Sequence, residues 1–155
     1  MILVTVGTQL PFDRLIRAMD ELTPGLGQHV IAQTNDGAYR PLNLEAHSFF
    51  GPDKFATLAH ECSVIVSHAG IGSVLTARRH GKPIILMPRR ADLGEHRNDH
   101  QLATCAALVG KPGIHIAETP EELAALFSQT LAPAADTGPH RERLIGSIRD
   151  YIAGN

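Results

Sequence analysis

The sequence predicts an α/β fold, with a single Rossmann-like domain, a mostly parallel sheet and helices on both faces. Short runs of Val, Ile and Leu recur along the chain, as in strands that are buried on both faces. Helix-period apolar patterns separate most of these runs, and turn residues mark their ends. The length of 155 residues suits one domain with a core of its own.

The predicted elements follow in order along the chain. Six apolar runs are predicted as strands, at 2–6, 29–32, 48–50, 64–66, 84–87 and 114–116. Helical spacing is found between them, at 12–22, 55–60, 74–78 and 118–127. The third of these helices ends at the stop signal Gly81-Lys82-Pro83, and the fourth begins with an N-cap, a proline and carboxylates.

The domain is predicted to cover residues 1–155, because no repeat or low-complexity tract divides them. A linker-like stretch at 132–139 leads to a last amphipathic helix, which carries Leu144, Ile145, Ile148 and Ile152. Such an apolar face either packs back on the sheet or docks a partner.

Composition excludes several classes of protein. A net charge of −2 and 5% aromatic residues are not typical of a protein that binds nucleic acid. No apolar run approaches the roughly 18 residues that span a bilayer, and the N-terminal run lacks a signal-peptide pattern. Cys62 and Cys105 have no metal-ligand spacing, so they are predicted to be buried reduced thiols. These observations predict a soluble intracellular domain.

The segment Ser67-His68-Ala69-Gly70-Ile71-Gly72-Ser73 follows an apolar strand and opens a helix. Glycines let an anion approach the backbone, and the first N–H groups of a helix point at it. The segment lacks the full dinucleotide fingerprint, and it lacks the Lys-Ser/Thr of a Walker loop. It therefore predicts either a phosphate site of another kind or a tight connection without a ligand.

The loop at 87–101 follows another buried strand and is predicted to lie at the same sheet edge. Its Asp, Asn, His and Gln side chains offer the donors and acceptors that sugar hydroxyls need. A solvated loop before a helix start is the alternative. A metal site at His96 and His100 is a further alternative, but the zincin order of ligands is not met, and no metal or other cofactor is expected.

These two segments, together with Gly81-Lys82-Pro83 and the strand after it, resemble the C-terminal domain of the family 28 glycosyltransferases. The opening Val4-Thr5-Val6-Gly7-Thr8 is similar to the start of the small cytosolic catalytic subunit of split, two-chain members. Those members include the eukaryotic enzyme that adds N-acetylglucosamine to a dolichol-linked sugar. The segment Met87-Pro88-Arg89-Arg90 is most similar to the bacterial exopolysaccharide and capsule branch. The resemblance spans about 2–107.

The resemblance implies the C-terminal half of a GT-B fold, which holds a nucleotide-sugar donor. The backbone of Gly70, Gly72 and Ser73 would bind the donor diphosphate, and His68 would lie at the opening of the same cleft. Gly7, Thr8 and Arg89 would line the cleft. The donor sugar would contact Asn98, Asp99, His100 and Gln101. Many relatives bind ribose through a Glu where this chain has Thr76, so ribose recognition either differs or falls to Glu95.

The implied function is the donor-binding catalytic subunit of a heteromeric inverting glycosyltransferase. It would move a hexose-type sugar from a UDP-sugar to a lipid-linked saccharide acceptor in polysaccharide biosynthesis. A membrane-anchored partner subunit would hold the chain at the cytoplasmic face of the membrane. A regulatory module that binds nucleotide sugars without catalysis is the alternative.

The general base stays open at this stage. His68 is the candidate catalytic residue, although a structural histidine and a base on the partner subunit are alternatives. Asp13 is a weaker candidate, because a carboxylate is also favourable in the first turn of a helix. Arg89 or Arg90 could add positive charge at the diphosphate, or both could simply be solvated.

Overall fold

The computed structural model describes residues 1–135, 145, 146, 148–150 and 153. Within this part, one sheet contains β1 (Ile2–Thr5), β2 (Val30–Gln33), β3 (Glu45–His47), β4 (Val64–His68), β5 (Ile84–Met87) and β6 (Ile114–Ile116). The strand order is β3-β2-β1-β4-β5-β6, and every neighbouring pair is parallel. The predicted single α/β domain with a parallel sheet is therefore confirmed.

Helices connect the strands and cover both faces of the sheet. They are α1 (Asp13–Leu26), α2 (Pro52–Glu61), α3 (Ile71–His80), α4 (His100–Leu108) and α5 (Pro120–Phe127), and a short 3-10 turn spans Ala91–Leu93. The predicted stop of α3 is confirmed, since Gly81 has a φ of 62° and its N–H caps the helix. The predicted cap of α5 is also present, where Thr119 accepts from the N–H of Glu122.

The third strand lies three residues before its predicted position. We expected it at 48–50, but the structure pairs Glu45–His47 with β2 through the register Ile31↔Glu45 and Gln33↔His47. All three residues of β3 are exposed, because it is an edge strand. An exposed edge strand needs no apolar pattern, so its sequence gave no periodicity to detect.

Alternating side chains of the strands build two apolar cores, one on each face. Leu3 and Ile65 are fully buried in the first core, and Ile2 and Val66 are fully buried in the second. The predicted apolar positions of α1 belong to the second core, which includes Phe12, Leu15, Ile16 and Met19. The two cysteines are free and buried in the first core, as predicted.

The segment after α5 returns to the sheet. Ala134 is buried, and its N–H donates to the carbonyl oxygen of Lys82 at 3.1 Å. Ile148 of the predicted last helix is 1% exposed in the first core, which agrees with packing on the sheet. The predicted positions Leu144 and Ile152, and residues 136–139 of the linker-like stretch, lie outside the described residues. No helix among the described residues is long and apolar enough to cross a membrane.

Candidate functional site

A cavity of about 550 Å³ lies at the carboxyl ends of β1 and β4. The connection after β1 leads to β2 on one side, and the connection after β4 leads to β5 on the other side. The cavity therefore lies at the topological switch point of the sheet. Open α/β sheets bind their ligands at this place. The cavity is lined by Thr5, Val6, Gly7, Thr8, Gln9, Leu10, Gln33, Phe55, His68, Gly72, Ser73, Thr76, Arg89, His96 and Gln101.

The N-terminus of α3 forms one end of this cavity. Gly70 is the N-cap, and no side chain in the described part of the chain caps the helix. The N–H groups of the first turn have no intrahelical acceptor, and the helix dipole favours an anion there. Ser73 is buried, and its hydroxyl accepts from the Ser67 hydroxyl at 2.7 Å. This bond uses a lone pair of the Ser73 oxygen, so both the O–H and the backbone N–H of Ser73 remain as donors for a ligand.

His68 is held between two glycines at the end of β4. A Cβ on Gly7 would lie 2.7 Å from Cε1 of the imidazole, and a Cβ on Gly70 would meet Nε2. Gly7 also has a φ of 78°, which disfavours other residues. The hydroxyl of Ser67 lies 3.2 Å from Nδ1 of His68. Since that hydroxyl donates to Ser73, it is able to accept from Nδ1–H, and in that tautomer the lone pair of the ring would be on Nε2.

The imidazole of His68 is neutral at ordinary pH. Burial, together with the positive charge of Arg89 and a smaller effect of His96, lowers the pKa of His68 to about 4. A hydrogen bond to the backbone of Thr5 acts in the opposite direction. A base with so low a pKa is a weak proton acceptor near pH 7, although its Nε2 can still accept a hydrogen bond.

Arg89 and Arg90 have different environments. Arg89 is 3% exposed, so the interpretation that it is solvated is wrong. Its Nη2 donates to the carbonyl oxygens of Val6, Leu10 and Pro11 at 2.9, 2.6 and 3.4 Å. Arg90 instead points away from the cavity lining and pairs with Asp92, with Nη2 and Oδ2 separated by 2.6 Å.

Gln101 bridges the two loops that follow β4 and β5. It is buried, and its Oε1 accepts from the N–H groups of Ala69 at 3.2 Å and Arg89 at 2.9 Å. The amide nitrogen has no partner among the described residues. Gln101 lines the cavity, so it presents a hydrogen-bond donor to a ligand there.

The predicted sugar contacts Asn98, Asp99 and His100 do not line the cavity. Asn98 Oδ1 accepts from the N–H of His100 at 3.1 Å, and Asp99 Oδ1 accepts from the N–H of Ala91 at 2.9 Å. Both side chains shape the entry to α4. The side chain of His100 is exposed at the first position of that helix. Of the predicted sugar contacts, Gln101 is thus the one in the cavity lining.

Glu95 lies on a second cavity of about 510 Å³, which adjoins the first and is lined by Gln9, Leu10, Pro11, Gly94, Glu95, His96 and Arg97. Both of its oxygens are occupied: Arg14 donates to Oε2 at 2.9 Å and to Oε1 at 3.0 Å. The N–H of Arg90 donates to Oε1 as well. Arg14 also binds the carbonyl oxygens of Pro88 and Glu118, so this ion pair joins α1 to the loops that follow β5 and β6.

Thr76 and Asp13 have clear positions. Thr76 lines the first cavity from α3, and its hydroxyl donates to the carbonyl oxygen of Gly72 at 2.9 Å. Asp13 accepts from the N–H groups of Ala38 and Tyr39 at 3.2 and 3.3 Å. It is not among the residues that line either cavity, so the structural interpretation of Asp13 is the one that fits.

The structure adds residues that the sequence interpretation missed. Gln33, at the end of β2, donates to the carbonyl oxygen of Gly7 at 3.0 Å and accepts from the N–H of Phe50 at 2.9 Å. Phe55 on α2 supplies an aromatic ring to the cavity lining. The strand-end position of Gln33 could have pointed to it, whereas nothing in the local pattern distinguishes Phe55 from a core residue. No group of three His, Cys, Asp or Glu residues in the described ranges could hold a metal ion.

The single α/β domain with its six-stranded parallel sheet matches the C-terminal, Rossmann-like half of the GT-B fold. The family comparison agrees: the chain belongs to the glycosyltransferase family 28 C-terminal domain, whose model matches residues 1–139. No curated protein matches this sequence in a sequence comparison.

Several solved glycosyltransferase structures share the fold. The glycotransferase of kitacinnamycin is 22% identical, with a TM-score of 0.62 over 98% of this chain and 39% of that chain. SsfS6 from Streptomyces sp. SF2575, complexed with thymidine diphosphate, is 21% identical, with a TM-score of 0.52 over 98% of this chain and 36% of that one. The solution structure of ALG13 is 19% identical, with a TM-score of 0.63 over 92% and 93% of the two chains. The chain thus spans under half of the first two proteins and nearly all of the third.

Proposed function

We propose that this chain is the donor-binding catalytic subunit of a heteromeric inverting glycosyltransferase. The observation that carries the proposal is the uncapped N-terminus of α3, which opens into the switch-point cavity of a family 28 domain. The diphosphate of a UDP-sugar would bind the N–H groups at Gly72 and Ser73, whereas the N–H of Gly70 already donates to the carbonyl oxygen of His68 at 2.8 Å. This arrangement needs no metal, because the helix end itself stabilises the leaving diphosphate.

The remaining cavity residues suggest how the rest of the donor is bound. Gln101 would donate its amide N–H to the hexose-type sugar, since its carbonyl oxygen is already occupied. Thr76 lies in the cavity at the helix position where ribose binding is expected, and Glu95 is held by Arg14. We therefore assign ribose contact to Thr76. His68 would accept a hydrogen bond at the reacting end through Nε2.

A second chain would complete the enzyme. The low basicity of His68 favours a base from another subunit, which would deprotonate the hydroxyl of a lipid-linked saccharide acceptor. A membrane-anchored partner would supply that base, as in the split enzymes of the family. It would place this subunit at the cytoplasmic face of the membrane, in polysaccharide biosynthesis of the bacterial exopolysaccharide type.

Calorimetry with UDP and a panel of UDP-sugars tests the proposal. We expect UDP to bind and one UDP-sugar to bind more tightly. Gly72→Ala is expected to weaken UDP binding without loss of stability, because the added Cβ meets no protein atom within 4 Å but lies beside the anion site. A matched control is Gly25→Ala, where the added Cβ is equally free. If UDP binds and no sugar adds affinity, the regulatory nucleotide-binding module becomes the better interpretation.

A further inference from the structure

Arg89 is a buried cation that holds one wall of the cavity. Its Nη2 donates to three carbonyl oxygens of residues 6–11, which we call the wall loop. The wall loop supplies five residues to the cavity lining: Val6, Gly7, Thr8, Gln9 and Leu10. Removal of the Arg89 guanidinium would therefore leave three carbonyl groups of the loop without this donor.

The charge of Arg89 is not neutralised by a carboxylate. Among the described residues, none of the ion pairs includes Arg89. Glu95 acts on it through space, but both Glu95 oxygens are bound to Arg14. The face of the Phe12 ring, whose centroid lies 5.1 Å from Cζ of Arg89, gives partial compensation. A buried cation without a carboxylate partner is costly, so an anion in the adjoining cavity would stabilise it.

Of the two remaining nitrogens of the guanidinium, Nη1 is the one left for such an anion, because Nε is closed off from solvent. Nε of Arg89 is buried and has no hydrogen-bond partner in the part of the chain that the structure describes. The hydrogen bonds found for the side chain all use Nη2. Arg89 lines the cavity that also contains the free N–H groups of α3, so two separate sources of positive potential face one space.

We propose that Arg89 couples the negative charge of the donor diphosphate to the position of the wall loop. The cation attracts the phosphate groups, and its Nη2 keeps Gly7 to Leu10 against the same ligand. Arg89 is thus a positioning residue for the loop and an electrostatic anchor for the anion. This inference rests on the proposed function, since the diphosphate is that of the nucleotide-sugar donor.

The first test uses the ligand-free full chain and three variants. Arg89→Met removes the charge and the clamp, Arg89→Lys keeps the charge but loses the flat fork, and Arg90→Met is the matched control for loss of one charge. NMR titration of His68 is expected to show a pKa closer to its ordinary value in Arg89→Met only. Amide exchange at Gly7 to Leu10 is expected to be faster in both Arg89 variants and unchanged in Arg90→Met.

The second test measures binding of UDP, uridine and inorganic diphosphate to the same proteins. Arg89→Met is expected to weaken UDP and diphosphate by about tenfold or more, as for a lost charge-assisted contact, and uridine by less than about twofold. Arg89→Lys is expected to keep part of this affinity, and Arg90→Met nearly all of it. If Arg89→Met does not fold, the Arg89→Lys and Arg90→Met pair still carries the comparison.

Two results overturn the inference. In the first, the Arg89 variants match Arg90→Met in diphosphate affinity and in exchange of the wall loop. In the second, uridine loses as much affinity as UDP, which identifies a structural role alone. A protein that binds inorganic diphosphate through Arg89 but not UDP contradicts the nucleotide-sugar function and leaves the anion anchor intact. The two failures are therefore distinguishable.

Discussion

The imidazole of His68 occupies the space that a side chain at Gly70 would need. Gly70 is at the same time the N-cap of α3, so one residue sets both the anion site and the position of the ring. Gly7 restricts the ring from the other side. The absence of a side chain at two positions far apart in sequence thus fixes a third residue, and the following predictions start from this contact.

Gly70→Ala is expected to lower the free energy of unfolding by about 1–3 kcal/mol, because the new methyl group must displace a packed ring. Gly51→Ala is the matched control, since Gly51 is also a helix N-cap and a Cβ there meets no atom within 4 Å. Both changes remove a glycine cap, so the difference between them isolates the contact with His68. Urea denaturation measures both values. Equal losses would contradict the proposed packing of His68 against Gly70.

The folded protein is expected to lose stability as the pH falls from about 7 to 4. Burial, assisted by the charge of Arg89, lowers the pKa of His68 to about 4 from its ordinary value of 6.5. In the unfolded chain this residue takes up its proton first, so acid favours unfolding throughout that interval. The full effect is about 3 kcal/mol and is present only below the folded pKa.

His68→Gln supplies the reference for this pH dependence, because the amide does not titrate. Urea denaturation of both proteins at pH 7, 5.5 and 4.5 separates the share of His68 from that of other groups. The gap between the two proteins is expected to change in favour of the variant as the pH falls. A gap that stays constant would mean that His68 is not held neutral.

Glu95→Gln is expected to destabilise the fold and leave UDP affinity unchanged. The Arg14–Glu95 pair is mostly buried, with side-chain exposures of 21% and 12%, and the bidentate contact is worth about 1.5–3 kcal/mol. The matched control is Asp92→Asn, which breaks the exposed pair with Arg90 and is expected to change stability little. Thermal denaturation and UDP calorimetry give the two readouts. A clear loss of UDP affinity in Glu95→Gln, beyond that of the control, would indicate that Glu95 and not Thr76 contacts the ribose.

Gln101→Ala is expected to cost about 1–3 kcal/mol, because the N–H groups of Ala69 and Arg89 lose their acceptor. Gln101→Glu keeps that acceptor and removes the amide donor. It therefore separates the hydrogen bonds to the two backbone N–H groups from the contact with the ligand. We expect Gln101→Glu to remain folded and to lose the extra affinity for the sugar of a UDP-sugar. Calorimetry with UDP and the UDP-sugar measures this difference, and the exposed His100→Ala serves as a control. A Gln101→Glu variant that keeps the sugar preference would remove Gln101 from the proposed contacts.

The sequence predicted the parts of the fold that depend on local pattern. The runs at β5 and β6 have the predicted bounds, and the caps at Gly81 and Thr119 lie where turn chemistry required them. The position of the edge strand β3 was not predicted, because the strand forms through backbone pairing with β2 alone. Its residues Glu45, Ala46 and His47 are all exposed, and no rule of periodicity applies to them.

The site was harder to predict, because its roles depend on contacts between distant residues. The residue types of Glu95 and Asp99 suit a ligand, yet the structure uses both carboxylates to hold backbone or Arg14. Arg89 shows the opposite case, since a solvated charge was one of its two interpretations and its surroundings bury it. Such outcomes depend on which loops lie next to each other in the folded protein, and local sequence patterns do not contain that information.

The cavity lies where β1 and β4, the two innermost strands, pair with each other through Ile2↔Val64 to Thr5↔Ser67. A ligand held by Gly7 and His68 would therefore touch both halves of the sheet, β3-β2-β1 and β4-β5-β6. Neither half alone can form the site, and opening of the central ladder must expel whatever is bound. Occupancy is thus linked to unfolding of the whole domain, which makes melting temperature a practical screen for its natural ligand.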